Sequence, residues 1–377
     1  MIYLDHSATT PVDDEVMETF IKANANFWGN PSSLHYFGAL AEQVLIKSSR
    51  QILDLLNANN HQVIYTSGAT ESNNLAINGL ASHYPNGHII TTTIEHPAVY
   101  EVCLQLKKQG YQVSYLDVRK SPQEVACQLE ALINKHTFLV SCMHVNSEMG
   151  LVLPIKEIGE VISKYPKVKY HVDAVQSIGK FEIDIAQMNI DFLSLSAHKI
   201  HGIKGLGALV MRKNLQMTPQ IVGGGQMDGI RSGTINVAGA ASLAKAMRLV
   251  CEDRVHNFEH ISKIHNAVID KFSAIKDVQI NSCFAHQSPY IVNFCVRGIR
   301  GETLVHALEE HDIYISAKSA CSSKKKQPSY VLLALGFDEA TATESVRVSF
   351  AHQTTQKEID KFFAALEIEI KKLKSKS

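Results

Sequence analysis

Two charged residues stand at the ends of neighbouring apolar runs that are predicted to be strands. Asp173 follows the run Tyr170-His-Val172, and Lys199 comes shortly after Phe192-Leu-Ser-Leu195. In an α/β sheet, ligands bind in the crevice beyond the carboxyl ends of the strands. A lysine in that place is either a surface charge or a nucleophile that forms a Schiff base. An acidic residue on a neighbouring strand suits pyridoxal phosphate (PLP), because the ring nitrogen of PLP must stay protonated to act as an electron sink.

A turn of small residues upstream is suited to a phosphate group. The segment Thr66-Ser-Gly-Ala-Thr-Glu71 directly follows a predicted strand and begins a predicted helix. A helix N-terminus offers free backbone N–H groups and the positive end of the helix dipole, and the Thr70 hydroxyl can add a donor. An ordinary capped helix start has the same sequence. Together with Asp173 and Lys199, however, the turn favours PLP.

Two later segments also contain residues suited to chemistry. Gly223-Gly-Gly-Gln226 and Arg231-Ser-Gly-Thr234 could bring backbone and hydroxyl groups to a phosphate, although a loop without a ligand has the same composition. Cys321 lies among small polar residues next to Lys324-Lys-Lys326, which predicts an exposed thiol with a lowered pKa. The other six cysteines are expected to be buried small hydrophobic residues: Cys103, Cys127, Cys142, Cys251, Cys283 and Cys295.

Strands and helices alternate around these residues. Short apolar runs predict strands at Val63–Thr66, Ile89–Thr93, Val113–Leu116, Phe138–Ser141, Tyr170–Val172, Phe192–Leu195 and Ala208–Met211. Helical patterns separate several of them, one beginning with the capping box Ser121-Pro-Gln-Glu124. This alternation predicts an α/β domain with a mainly parallel sheet. After Val250 the pattern changes, and a long helical stretch with strands at Tyr290–Val296, Ile313–Ser316 and Val346–Phe350 predicts a smaller α+β domain.

Composition restricts the class of protein. The chain has 377 residues, of which 45% are hydrophobic, as in globular proteins. Its 37 basic and 37 acidic residues give a net charge of zero, so charge gives no reason to expect binding to nucleic acid or to an anionic membrane. No apolar run approaches the roughly 18 residues of a membrane helix, and the first residues lack the features of a signal peptide. The 7 cysteines form no C-x-x-C pair and fit a reducing compartment, so we expect a cytoplasmic protein.

The chain resembles the PLP-dependent cysteine desulfurases of the NifS/IscS type over almost its whole length. The resemblance rests on ordered motifs: Tyr3-Leu-Asp-His-Ser-Ala-Thr-Thr-Pro-Val12, Gly29-Asn-Pro-Ser-Ser33 with His35, Ala69-Thr-Glu-Ser-Asn-Asn-Leu-Ala-Ile77, Glu95-His96, His144-Val-Asn146 with Glu148 and Gly150, His171-Val-Asp173 with Gln176, His198-Lys199, Gly223-Gly-Gly-Gln226, Arg231-Ser-Gly-Thr234, Ser319-Ala-Cys-Ser-Ser323 and Arg347. It implies a fold-type I PLP enzyme that forms a homodimer with active sites near the subunit interface. We expect a large PLP-binding domain over residues 13–255 and a small domain over residues 1–12 and 256–377 that carries Cys321.

The resemblance also implies a role for individual residues. Lys199 would bind PLP covalently, Asp173 would pair with the ring nitrogen, and His96 would stack on the ring and act as acid and base. Arg347 would receive the substrate carboxylate, and Cys321 would accept the sulfur. The remaining implied site residues bind the cofactor or lie near the substrate: Gln176 at the ring O3′, Ala69, Thr70, Ser196 and His198 at the phosphate, Thr234 at the phosphate of the partner subunit, Asn146 in the cofactor site, and Asn30 near the carboxylate.

The implied reaction converts L-cysteine to L-alanine and leaves the sulfur on Cys321 as a persulfide. The sulfur would then pass to an acceptor protein, either an Fe–S cluster scaffold or a tRNA-thiolation protein. A selenocysteine lyase or a class V aminotransferase is the alternative among enzymes, and Cys321 favours the desulfurase because an aminotransferase needs no thiol there. A non-catalytic Fe–S assembly scaffold is the alternative of another class, and the retained Lys199, Asp173 and His96 speak against it. We expect no metal site, although the chain has 18 histidines.

The chain departs from the family pattern at several positions. Ser147 stands where an asparagine is usual, Lys318 replaces a glycine, and Met227 replaces an acidic residue. Further differences are His201 for a tyrosine, Leu153-Pro-Ile155 for Gln-Pro-Ile, and Ala351-His352 for Gly-Arg. The lysines at 318 and 324–326 are either a solvated loop tip or a binding surface for an acidic sulfur acceptor.

Overall fold

The computed structural model describes residues 1–317 and 328–375. Its strands are β1 (Ile2–Tyr3), β2 (His61–Thr66), β3 (His88–Thr92), β4 (Gln112–Leu116), β5 (Thr137–Met143), β6 (Lys169–Asp173), β7 (Phe192–Ser196), β8 (Gly207–Arg212), β9 (Val278–Ile280), β10 (Ile291–Val296), β11 (Ile313–Tyr314) and β12 (Ser345–Ser349). Its α-helices are α1 (Asp14–Asn26), α2 (Tyr36–Leu55), α3 (Ala69–Ala81), α4 (Pro97–Lys108), α5 (Pro122–Leu132), α6 (Ile155–Ile162), α7 (Val237–Glu252), α8 (Arg254–Ala274), α9 (Gly301–Glu309), α10 (Tyr330–Ala334), α11 (Glu339–Glu344) and α12 (Gln356–Lys374).

One compact unit consists of Pro11–His144 and Leu153–Asp253. Its seven-stranded sheet has the order β2-β8-β7-β6-β5-β3-β4. Every pairing among β3 to β7 is parallel, and β8 runs antiparallel to both of its neighbours, β2 and β7. Strands β3, β5 and β7 are buried along their whole length, as expected for strands covered on both faces. The predicted α/β architecture with a mainly parallel sheet is confirmed.

Helices of this unit begin where the sequence predicts. Ser121 caps α5, and the reciprocal hydrogen bonds of the capping box with Glu124 are both present. The buried face of α5 is formed by Val125 and Leu129, four residues apart on one side of the helix. Such amphipathic helices cover the sheet and leave the carboxyl ends of its parallel strands for ligands.

The other compact unit consists of Met1–Thr10, Val145–Val152 and Arg254–Ser377. Strands β12, β10 and β9 form an antiparallel sheet in that order, and β1 pairs with β11 in parallel. Its core contains closely packed aromatic rings, among which the centroids of Phe272 and Phe294 lie 4.1 Å apart. The capping box Thr355–Glu358 begins α12. None of the helices in the described part of the chain is long and apolar enough to cross a membrane.

The segment Val145–Val152 is grouped with this second unit, whereas the sequence alone places it in the larger domain. Its contacts explain the grouping. The Val152 N–H donates to the His286 carbonyl at 3.0 Å, and Nδ2 of Asn293 donates to the Glu148 carbonyl at 3.3 Å. The periodicity of apolar residues does not reveal a short segment that interrupts the larger unit in sequence and belongs to the smaller one. The functional assignment of the two units as a PLP-binding domain and a Cys321-bearing domain stays a prediction.

Candidate active site

Asp173 lies at the carboxyl end of β6 with only 6% of its surface exposed. Its Oδ2 accepts a hydrogen bond from Nδ2 of Asn73 at 2.8 Å, and its Oδ1 accepts one from the Val175 N–H at 3.1 Å. Both of these donors are uncharged N–H groups. Burying a carboxylate without a cation is costly. The position therefore suits a ligand that brings a positive charge, such as a protonated pyridine nitrogen.

His96 interacts electrostatically with both Asp173 and Lys199. His96 caps α4, and its Nδ1 accepts a hydrogen bond from the Ala98 N–H at 3.1 Å, so a neutral His96 carries its proton on Nε2. Burial lowers the pKa of His96, Asp173 raises it, Lys199 lowers it again, and the net direction is downward. Near neutral pH His96 is therefore an uncharged imidazole, which can both accept and donate a proton.

Lys199 ends a short turn, Ala197–Lys199, that directly follows β7. Burial and the Lys199 charge lower the pKa of neighbouring Lys180 to about 7. Nζ of Lys180 donates to Oε1 of Gln176 at 3.3 Å. Burial, followed by the charges of Lys199 and Lys204, also lowers the pKa of His198 to about 4. Lys199 thus lies among groups whose protonation is disfavoured.

The turn before α3 has the features of a phosphate site. Gly68 precedes the helix and gives no side-chain cap to its first turn, which contains Ala69 and Thr70. The first N–H groups of a helix have no partner within it and can bind an anion. Gly207 of β8 lies against this turn, since a Cβ there would come within 2.7 Å of the Gly68 Cα. Ser196, at the end of β7, is 5% exposed.

The segment that carries Thr234 is joined to the same turn. Nε of Arg231 donates to Oε1 of Glu71 at 2.8 Å, and Oε2 of Glu71 accepts from the Ser67 N–H at 2.8 Å. Met227, a departure from the family pattern, accepts a hydrogen bond on its sulfur from the Tyr65 N–H at 3.2 Å. Thr234 itself is exposed.

Arg347 lies on β12 in the smaller unit with 1% of its surface exposed. Its Nη2 donates to Oδ1 of Asp5 at 2.7 Å, and its Nη1 donates to the Ser147 carbonyl at 2.9 Å. Its buried Nε has no hydrogen-bond partner among the described residues. A planar guanidinium with a spare donor is suited to a carboxylate ligand. Nearby, Oδ1 of Asn146 accepts from the Glu148 and Met149 N–H groups.

Known proteins resemble the chain from end to end. Residues 2–362 match the family model Aminotransferase class-V. A NifS/IcsS protein homolog of Lactobacillus delbrueckii subsp. bulgaricus is 41% identical over 371 residues, which cover 97% of this chain and 96% of that protein. The cysteine desulfurase IscS of Vibrio cholerae is 40% identical over 383 residues, covering 100% and 94%. The solved structure of a NifS-like protein has a TM-score of 0.90 at 33% identity and covers 98% of this chain and 99% of that chain.

The chain belongs to the class V aminotransferase family, among the NifS/IscS-type cysteine desulfurases. The predicted resemblance and the fold-type I architecture are confirmed. Most residues implied to bind the cofactor lie in the larger unit of this NifS/IscS-type chain: Ala69, Thr70, His96, Asp173, Gln176, Ser196, His198, Lys199 and Thr234. Asn30 is in the same unit and exposed, whereas Asn146 and Arg347 are in the smaller unit. Their individual roles stay predictions.

The expected burial of six cysteines is partly wrong. Cys103, Cys142 and Cys295 are buried, and burial raises the pKa of Cys103 to about 12 and that of Cys295 to about 11. Cys251 is half-buried, whereas Cys127 and Cys283 are exposed. Cys127 lies between the two buried residues Val125 and Leu129 of α5 and therefore points away from the core. Cys283 follows β9 in a loop. Cys321 and the lysines at 318 and 324–326 lie outside the described residues.

Three residues to which the sequence analysis assigns no role form side-chain hydrogen bonds in the structure: Asn73, Glu148 and Lys180. Asn73 and Glu148 occur in the quoted motifs but make contacts that their positions do not reveal. Lys180 lies four residues after Gln176, and this spacing could have indicated from the sequence that their side chains meet. His256 and His260 also have the H-x-x-x-H spacing of metal ligands, which the sequence reasoning overlooks. Among the described residues no three His, Cys, Asp or Glu side chains are grouped as a metal site.

Proposed function

We propose that the protein is a cysteine desulfurase that binds PLP on Lys199, converts L-cysteine to L-alanine and takes the sulfur on Cys321. The observation that carries the proposal is the buried carboxylate of Asp173, which accepts hydrogen bonds from two N–H groups and interacts electrostatically with His96, which in turn interacts with Lys199. A protonated ring nitrogen of bound PLP would add a positive charge beside this carboxylate. The full-length likeness to proteins named cysteine desulfurase supports the same reaction.

The residues of the larger unit fit the parts of PLP. Asp173 would hold the ring nitrogen and Gln176 the ring hydroxyl, while the phosphate would bind at the first turn of α3. There the donors would be Ala69, Thr70, Ser196 and His198, with Thr234 of a second copy. Asn146, which belongs to the smaller unit, is a further proposed cofactor-binding residue. When bound, PLP supplies an electron sink for the α-carbon of the amino acid.

The other residues bind the substrate and move its protons. Arg347, with Asn30, would hold the carboxylate and so fix which atoms of L-cysteine reach the reacting groups. Lys199 is the amine that can take the α-proton, and an uncharged His96 can pass a proton at the sulfur or the ring. Depression of the Lys180 pKa to about 7 keeps a second full positive charge from accumulating beside Lys199.

Sulfur transfer ends on Cys321. Its sulfur forms an S–S bond with the substrate sulfur while the substrate C–S bond breaks, and the electron pair stays on the carbon, which takes a proton to become the methyl group of alanine. The net change balances, since a thiol and L-cysteine give a persulfide and L-alanine. A persulfide is a reversible modification that a second thiol can remove.

The proposed setting is a cytoplasmic homodimer that delivers sulfur to another protein. Aromatic residues at one site support a second copy, since Trp28 and Phe37 stack with ring centroids 5.3 Å apart and Tyr36 is 72% exposed. The acceptor would be an Fe–S scaffold or a tRNA-thiolation protein. An acidic acceptor that uses the lysines at 318 and 324–326 would associate more slowly as salt concentration rises.

The test is product formation by purified protein supplied with PLP, L-cysteine and dithiothreitol. We expect alanine and sulfide in equal amounts, a visible absorption band that borohydride removes, and a reduced label on the peptide that contains Lys199. Lys199→Ala should lose the band and the products, while Lys204→Ala, which changes an exposed lysine nearby, should keep both. A label on another lysine, or a product that needs an added 2-oxo acid, would contradict the proposal.

A further inference from the structure

Both described ends of the chain stretch that bears Cys321 are hydrogen-bonded around Arg347. Before the stretch, the Arg347 N–H donates to the Ser316 carbonyl at 2.6 Å, and the Ser316 N–H donates to the Arg347 carbonyl at 3.2 Å. After the stretch, the Ser329 hydroxyl donates to Oε2 of Glu148 at 2.6 Å. The carbonyl of Ser147, next to Glu148, accepts from Nη1 of Arg347 at 2.9 Å. One hydrogen-bonded network in the smaller unit therefore contains all of these residues.

The bond between Ser329 and Glu148 is well protected from water. Ser329 is 5% exposed and Glu148 is 3% exposed, and their oxygen–oxygen distance is that of a charge-assisted hydrogen bond. The backbone of Glu148 is fixed on both sides, since its N–H donates to Oδ1 of Asn146 and its carbonyl accepts from Nδ2 of Asn293. The Ser329 oxygen also caps α10 by accepting from the Leu332 N–H.

We propose that Glu148 is a positioning residue for sulfur transfer, because its bond to Ser329 fixes the far end of the stretch that bears Cys321 relative to Arg347. This inference rests on the proposed function, which assigns the substrate carboxylate to Arg347 and the sulfur to Cys321.

Few residues separate Cys321 from the hydrogen-bonded residues before and after it, Ser316 and Ser329. Cys321 is 5 residues after Ser316 and 8 residues before Ser329, and each residue spans at most about 3.6 Å. The Glu148 bond fixes Ser329, the residue at which the chain rejoins the smaller unit beside α10, and without it that end is placed less precisely relative to Arg347. Losing the Glu148 bond should therefore slow the transfer of sulfur and leave the binding of L-cysteine to Arg347 intact.

The experiment compares Ser329→Ala, Ser329→Thr, Glu148→Gln and the Glu148→Gln/Ser329→Ala double variant in the full-length protein loaded with PLP. Ser121→Ala is the matched control, because Ser121 is also a serine N-cap but lies at α5 in the other unit. We expect Ser329→Ala to lower kcat for alanine release about three- to tenfold, with KM for L-cysteine and the PLP absorption unchanged. Ser329→Thr keeps the hydroxyl and should retain activity. The double variant should be no slower than the slower single variant.

Hydrogen exchange gives a measurement that does not depend on activity. In Glu148→Gln, the amides of Tyr330–Ala334 should exchange faster, while those of α5 should not change. Wild-type kcat in both single variants, unchanged exchange in α10, or a loss of kcat that follows PLP release would overturn the positioning role. Wild-type protein that releases no alanine would instead contradict the proposed function, and the exchange result would still decide whether Glu148 holds Ser329.

Discussion

Nδ2 of Asn73 donates a hydrogen bond to Oδ2 of Asp173 at 2.8 Å, and both residues are buried. Asn73 lies four residues after Ala69, so one turn of α3 separates the helix N-terminus from the contact with Asp173. A single helix thus carries both the N–H groups suited to a phosphate and the amide that orients the carboxylate at the end of β6. Oδ1 of Asn73 has no partner among the described residues.

Asp173→Asn should weaken PLP binding about a hundredfold, because a hydrogen bond to a charged group contributes up to about 3 kcal/mol. The asparagine keeps the size of the side chain and can still accept from Asn73, while its NH2 group replaces the oxygen that accepts from the Val175 N–H, so the change removes the negative charge and one acceptor. Titration of the apo-protein with PLP, followed by visible absorbance, measures the effect. Asp191→Asn is the control, since Asp191 is equally buried but pairs with Arg212 at 2.6 Å. Equal PLP affinity in Asp173→Asn and wild-type protein would disprove the role of the charge.

The strands and caps were predictable from sequence because their physical causes are local. Strands covered on both faces are continuous apolar runs, and the run at Phe138–Ser141 lies within β5, which is buried throughout. Capping boxes are equally local, since they require only residues three apart. Strand β9 is missed because it has only 3 residues, all of them half-buried.

The contacts of the candidate site were less predictable because they join distant parts of the chain. Asn73 meets Asp173 across 100 residues of sequence, and Glu148 meets Ser329 across 181. No spacing rule connects such pairs, and only the order of strands in the sheet and the return of Val145–Val152 to the smaller unit bring them together. The exposure of Cys127 could have been predicted, since Val125 and Leu129 already define the buried face of α5.

His144 should make the protein less stable in acid. Burial lowers the pKa of His144 from 6.5 to about 4, and its Nδ1 has no hydrogen-bond partner among the described residues. The unfolded chain therefore takes up a proton at higher pH than the folded chain. The contribution of His144 to stability is complete above pH 6.5 and is lost as the pH falls toward 4, by up to about 3 kcal/mol.

Urea unfolding at pH 7.5, 6 and 5 measures this dependence. His144→Gln should unfold at urea concentrations that fall less steeply with pH than those of the wild-type protein. His256→Gln changes an exposed histidine on α8 and should follow the wild-type curve. Buried His171, whose pKa burial also lowers to about 4, leaves part of the acid sensitivity in place. Parallel curves for His144→Gln and wild-type protein would rule out a contribution from His144.

Trp28 should report on the proposed homodimer. The sequence contains a single tryptophan, Trp28, and 69% of its surface is exposed in the single chain. If a second copy covers it, its fluorescence emission should lie at shorter wavelength in the dimer and move to longer wavelength on dilution into the monomer. Phe37→Ser removes the ring that stacks on Trp28 and should weaken self-association in sedimentation, since aromatic residues contribute strongly at interfaces. Leu333→Ser, which changes a 42% exposed residue of the other unit, is the control. Emission typical of water-exposed tryptophan at all concentrations would show that Trp28 is not covered.

Cys321 should be the cysteine that accepts the sulfur. Buried Cys103, Cys142 and Cys295 have raised thiol pKa values and little access to a substrate. Cys127 and Cys283 are exposed, so burial does not prevent them from accepting sulfur. They are therefore the matched controls. Cys321→Ser should keep the visible PLP absorption and bind L-cysteine, because the proposed function assigns those properties to Lys199, Asp173 and Arg347. Its alanine release should fall at least about a hundredfold, as expected when a nucleophile is removed.

Cys127→Ser and Cys283→Ser should release alanine at the wild-type rate. Mass spectrometry after a short exposure to L-cysteine should then find one added sulfur on the peptide that contains Cys321 and none on the peptides of the two controls. A class V aminotransferase would be indifferent to the loss of Cys321, and a non-catalytic scaffold would show no wild-type alanine release to lose. Wild-type alanine release from Cys321→Ser, or an added sulfur on Cys127 or Cys283 in that variant, would place the acceptor thiol elsewhere, because Cys321 is then not there to pass the sulfur on.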